Sequence, residues 1–137
     1  MTMKKQITGF LEVSGRAGSG KTCLALMATE SVLREGKKVL YADPEATVRN
    51  FAPMEDPNFI LIEEDSVQGL LQAIHSHLSD PNLGLIVLDN LSALFAVKQT
   101  RAEEIEACKQ IAVLRDEIIE FSGRVPVIVT KQTKTRE

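Results

Sequence analysis

The sequence predicts a three-layer α/β fold: a mostly parallel sheet of about five strands with helices on both faces. Three features carry that expectation. Short β-prone runs alternate with helix-period segments along the chain. One run, Leu85-Ile86-Val87-Leu88, is apolar without alternation. A glycine-rich turn, Gly15 to Gly20, lies between the first strand and the first helix. Strands separated by helices make βα units and hence a parallel sheet, and an unbroken apolar strand suits a sheet centre covered on both sides.

Each element has its own justification. Ile7 to Val13 reads as the first strand. The helix after the glycine-rich turn runs from about Lys21 to Arg34, with Leu24, Ala25, Ala28 and Val32 at helical spacing, and Gly36 stops it. Lys38 to Ala42 is a second strand broken by Asp43-Pro44, and Asn58 to Ile62 is a third. Asp65 or Ser66 caps a helix to about Leu78, with Val67, Leu70, Leu71, Ile74 and Leu78 on one face, and Asp80-Pro81-Asn82 turns the chain. The fourth strand is Leu85 to Leu88. Thr100-Arg101-Ala102-Glu103 is a capping-box pattern opening the longest helix, to about Ser122, with Ile105, Cys108, Ile111, Ala112, Leu114, Ile118 and Phe121 as its buried stripe. Gly123 closes that helix, Val125 to Val129 is the fifth strand, and Lys131 to Glu137 reads as a polar tail.

The whole composition sets bounds. The chain has 137 residues, 44% hydrophobic and 26% charged, which suits one soluble domain, 1–137. Aromatic residues are only 4% and Trp is absent, so the core is aliphatic and no row of aromatics is set to stack bases. A net charge of -3 excludes an overall basic nucleic-acid clamp and leaves only a local patch for DNA. Cys23 and Cys108 are neither paired as CxxC nor beside His, so they read as small buried hydrophobes in a reducing compartment. The polar N-terminus is no signal peptide, and no run reaches the roughly 18 apolar residues of a membrane span. The expectation is a cytoplasmic protein with no membrane partner.

In a sheet of this kind ligands bind at the carboxyl ends of the strands, and that is where the chemistry-bearing residues fall. Gly15-Arg16-Ala17-Gly18-Ser19-Gly20-Lys21-Thr22 matches G-x-x-x-x-G-K-[ST] in full. Its glycines let successive backbone N–H groups converge on one point at the positive end of a helix dipole, which makes a nest for phosphate oxygens. Lys21 is expected to reach the β- and γ-phosphates and Thr22 to offer its hydroxyl to a magnesium ion. Cys23, counted with the nucleotide-binding residues, is expected to pack under the loop. Together they predict a bound ATP, with GTP as the alternative, and Mg2+. Asp89 ends the apolar fourth strand, where a carboxylate holds magnesium in such proteins. Glu45 follows the second strand and could take a proton from an attacking water. Gln132, past the fifth strand, could contact the γ-phosphate. Spacing alone favours a solvated loop acid for Glu45 and a polar tail residue for Gln132. His75 and His77, two apart, do not share a helix face, which argues against a metal role.

These segments resemble the RecA/RadA recombinase family. The likeness rests on Gly15 to Thr22, Tyr41-Ala42-Asp43-Pro44-Glu45-Ala46-Thr47-Val48-Arg49, Leu85 to Phe95 and Val127 to Gln132, in that order and spacing. It covers about Ile7 to Gln132 and is nearest to RadB-type recombinase paralogues. The resemblance implies Glu45 as catalytic base, Asp89 as the magnesium carboxylate and Gln132 as a γ-phosphate sensor coupled to DNA. It also implies the strand order third, second, fourth, fifth, first. The sequence departs from the family at Lys131, where Asn is usual. It also lacks an N-terminal helical domain, and it stops at Glu137, before the family's further strands. The first strand is therefore expected to be an open edge that invites another chain, in either a fragment or a reduced paralogue.

Three functions follow as expectations. The first is a Mg-ATP-dependent ATPase core in DNA recombination or repair, with single-stranded DNA and a second RecA-family subunit, or a copy of itself, as partners. The second is a nucleotide-gated regulatory or scaffold paralogue that hydrolyses little. The third is a small-molecule phosphotransferase, disfavoured because no Arg-bearing lid segment is evident.

Overall fold

A computed structural model describes residues 9–16, 20–90 and 100–132. Five strands form one sheet in the order β1-β5-β4-β2-β3: β1 Phe10–Gly15, β2 Lys38–Ala42, β3 Phe59–Ile62, β4 Leu83–Leu88 and β5 Val127–Gln132. All four pairings are parallel. This is the strand order that the resemblance implied, read from the opposite edge. The helices are α1 Lys21–Arg34, α2 Val67–His75 and α3 Arg101–Ser122.

Side-chain alternation along the strands divides the core into two clusters. Leu40, Ile86, Leu88, Val127 and Val129 pack with Leu70 and Ile74 of α2 and with Leu114, Ile118 and Phe121 of α3. Val39, Tyr41, Leu85, Val87 and Ile128 pack with Ala25 of α1. The sheet is thus covered on both sides, and β4 needs apolar residues on both faces because each face meets a helix layer.

Helix limits follow from local chemistry. Thr100 and Glu103 form the reciprocal capping box expected for α3, with each side chain bonded to the other residue's backbone N–H. Ser66 caps α2 by accepting from Gly69 N–H at 3.0 Å. Gly36 has φ +81, the left-handed geometry that ends α1. Gly123, expected to act the same way, has φ -76 and ends α3 in right-handed geometry.

Several expectations are corrected. β1 runs through Gly15, so the first residue of the glycine-rich turn belongs to the strand. β4 starts at Leu83, α2 stops at His75 before Leu78, and β5 reaches Gln132, so Lys131 and Gln132 are not a tail. Pairing with a neighbour extends these strands beyond their apolar runs: β5 continues because β1 lies beside it as far as Gly15. Among the described side chains of α3, the buried ones lie toward its C-terminal end. Leu114, Ile118 and Phe121 are covered, while Ile105, Cys108 and Ala112 are exposed. The described elements give these exposed residues nothing to pack on. Leu24 and Cys23 of α1 are exposed for the same reason, so neither cysteine is the buried hydrophobe expected. The side chain of Ile111 lies outside the described residues.

Candidate nucleotide-binding site

The site gathers at the carboxyl edge of the sheet. β1 delivers Gly15 and Arg16, and α1 begins at Lys21 after Gly20, whose φ of +92 only a glycine adopts without strain. Gly20 caps α1 without a side-chain hydrogen bond. Lys21 is buried, and its ammonium donates to the Gly15 and Arg16 carbonyls, at 2.8 Å each. A buried cation needs such acceptors, and these two tie the lysine to the start of the loop. Ala17, Gly18 and Ser19 lie outside the described residues.

Asp89 follows β4, and its backbone N–H donates to Ala42 carbonyl at 2.9 Å, extending the ladder by one step. The Asp89–Asn90 peptide is cis. Thr22 Oγ1 of α1 lies 3.4 Å from Asp89 Oδ1. The two residues expected to share a magnesium ion are therefore neighbours. Asp89 is 4% exposed and accepts two further hydroxyls that sequence reasoning did not single out. Tyr41 of β2 donates to Oδ2, and Thr130 of β5 donates to Oδ1 at 2.6 Å. Burial, then the charge of Asp89 and its hydrogen bond, then the charge of Asp43, raise the Tyr41 phenol well above its ordinary value. Both hydroxyls reach Asp89 because β2 and β5 flank β4, a neighbourhood that spacing along the chain does not show.

Glu45 stands exposed on the loop after β2. That loop is organised by Asp43, which is buried and accepts Val48 N–H at 2.9 Å and Thr47 Oγ1 at 3.4 Å. Ala46 takes a positive φ of 56 inside the turn so formed. Arg49 Nη2 reaches Glu63 Oε1 at 2.7 Å, tying the loop to the end of β3. Sequence reasoning treated Asp43 as a strand breaker; its structural task is to hold the loop carrying Glu45. The backbone of Gln132 pairs with Gly15, at the start of the glycine-rich loop, while its side chain lies outside the described residues. Lys131 pairs with Glu12 of β1 at 3.2 Å, which gives this departure from the family pattern a local role across the β1–β5 pair.

The donors present fit a phosphate with a magnesium ion. A buried ammonium and a helix N-terminus suit anionic oxygens, and a hydroxyl beside a carboxylate offers the hard oxygen ligands that magnesium takes. Cys23 is exposed, so it does not pack under the loop.

No family model matches the chain. It is 27% identical over 132 residues to "DNA repair and recombination protein RadB" of Thermoplasma acidophilum, covering 88% of this chain and 57% of that protein. It is 26% identical over 139 residues to the protein of the same name from Methanobrevibacter smithii, covering 88% and 58%. The chain is thus similar to curated RadB proteins of the RecA/RadA recombinases. "DNA repair protein RadA" of Campylobacter jejuni is a further relative, 26% identical over 96 residues, which span 66% of this chain and 21% of that one. The chain spans a little over half the length of the RadB relatives it matches, 57% in the first. No described helix is long and apolar enough to cross a membrane.

Proposed function

We propose that this chain is a Mg-ATP-binding ATPase core that works in DNA recombination or repair. The observation that carries the proposal is the meeting of Thr22 and Asp89 beside the buried Lys21, at the carboxyl edge of a parallel sheet. The named repair roles of the RadB and RadA relatives support the biological setting. In this reading Gly15 to Thr22 wrap the phosphates, and Thr22 with Asp89 hold magnesium, which when bound neutralises phosphate charge. Lys21 offsets the remaining negative charge. Glu45, exposed and carried on a loop pinned by Asp43, is the base that takes a proton from water. Gln132 senses the γ-phosphate from β5.

The test is Mg-ATP turnover with single-stranded DNA titrated in, beside Glu45→Gln. Turnover that rises with DNA and falls by about 10²- to 10⁴-fold in the variant supports the ATPase, the range a general base contributes. Flat turnover near zero in both chains sinks it. That outcome leaves a nucleotide-gated module that binds a second recombinase subunit. The observation favouring this alternative is the β1 edge, where Phe10 and Leu11 are 46% and 40% exposed on a strand with one described neighbour.

A further inference from the structure

We propose that Tyr41 and Thr130 are positioning residues whose hydroxyls clamp the Asp89 carboxylate in the orientation that serves Thr22 and magnesium. The proposal rests on the nucleotide-site assignment above and deepens it. β4 lies between β2 and β5, and register sets Tyr41 level with Val87 and Val87 level with Ile128. Tyr41, Val87 and Ile128 share the cluster that faces α1. Two residues on, Asp89 and Thr130 continue that face toward the carboxyl edge. There the tyrosine ring, one step lower, reaches up to the carboxylate.

The two carboxylate oxygens are held separately. Tyr41 Oη donates to Oδ2, and Thr130 Oγ1 donates to Oδ1 at 2.6 Å. Rotation of the carboxylate about its Cβ–Cγ bond would break both contacts together. Tyr41 and Thr130 are each 0% exposed, so no water replaces a lost hydroxyl without rearrangement. Bonds from O–H to a carboxylate are short and strong. The longer contact, Thr22 to Oδ1 at 3.4 Å, leaves that side of the carboxylate as the one a cation can enter. Neighbours that orient a metal ligand typically set metal affinity by about 10- to 100-fold.

The experiment measures the magnesium concentration that half-saturates labelled-ATP binding in the parent chain, Tyr41→Phe, Thr130→Val and Thr130→Ser. The first two variants are expected to need about 10-fold more magnesium or beyond, with magnesium-free ATP affinity unchanged and Thr130→Ser close to the parent. Folded variants with unaltered magnesium demand, an equal loss without magnesium, or a serine as impaired as the valine would each overturn the clamp. A second readout needs no nucleotide. Tyr41 is the single tyrosine of a chain without tryptophan, so its emission reports this contact alone. Asp89→Asn is expected to change that emission, and an unchanged spectrum overturns the contact. A parent chain that takes up no labelled ATP sinks the nucleotide assignment by itself; the emission then decides the clamp.

Discussion

Thr22 Oγ1 and Asp89 Oδ1 lie 3.4 Å apart although 67 positions separate them in the chain. Thr22 is in the first turn of α1, and Asp89 is one residue past the middle strand of the sheet. Their meeting depends on α1 packing on the sheet, where Ala25 shares a core cluster with Leu85, Val87 and Ile128. The chemistry at the edge is therefore set by the core beneath it.

Lys21→Ala removes the buried ammonium that bonds the Gly15 and Arg16 carbonyls. Hydrogen bonds to charged groups contribute about 1.5–3 kcal/mol. Affinity for labelled ATP is expected to fall by about 10- to 100-fold, measured by fluorescence titration. Wild-type affinity in the variant would remove Lys21 from the phosphate site.

Ile86 is 0% exposed at the sheet centre, and Ile119 is 61% exposed on α3. Ile86→Ala is expected to cost about 2–5 kcal/mol through lost burial and a cavity. Ile119→Ala is expected to stay within about 0.5 kcal/mol. Urea unfolding of both variants checks the difference, and equal costs would mean that the outer face of α3 is covered in solution.

Thr100→Ala breaks the capping box at the start of α3, where Thr100 Oγ1 accepts Glu103 N–H at 3.1 Å. The expected loss is about 1 kcal/mol, read as a lower urea midpoint. Thr100→Ser should recover most of it, because the hydroxyl and not the methyl group makes the cap.

Asp80 is held below its ordinary carboxylate value, first by the hydrogen bond from Lys38 Nζ at 2.7 Å and then by Asn82 N–H. A carboxylate lowered in the folded state adds stability that is present above its unfolded value of about 3.8 and is lost as pH falls through the folded value. Asp80→Asn should therefore unfold at lower urea than the parent at pH 7. The gap should narrow as pH falls below about 3.8 and close once pH is below the folded value. A gap that persists there would assign the effect to packing rather than charge.

Much of the site could be read from residue order. The G-x-x-x-x-G-K-[ST] run places Gly20 where the backbone takes a φ of +92, and Asp89 is announced by the apolar run before it. The reach of β5 was not legible, because Lys131 and Gln132 look polar and are strand only by pairing with Ser14 and Gly15. Nor was the exposure of Ile105 and Cys108, since periodicity gives a helix its apolar stripe without saying how much of that stripe finds a partner.

The sequence by itself determined the alternation of strands and helices, the glycine-rich turn between β1 and α1, the N-terminal capping of α2 and α3, and the acid at the end of β4. These depend on local geometry and on periodicity, which act within a few residues. Tertiary structure alone decided that Tyr41 and Thr130 close on Asp89, that Asp43 pins the loop of Glu45, and that Ile105 and Cys108 of α3 stay exposed. Those outcomes turn on which strands lie side by side and in what register, and register is settled only when both faces of the sheet are packed.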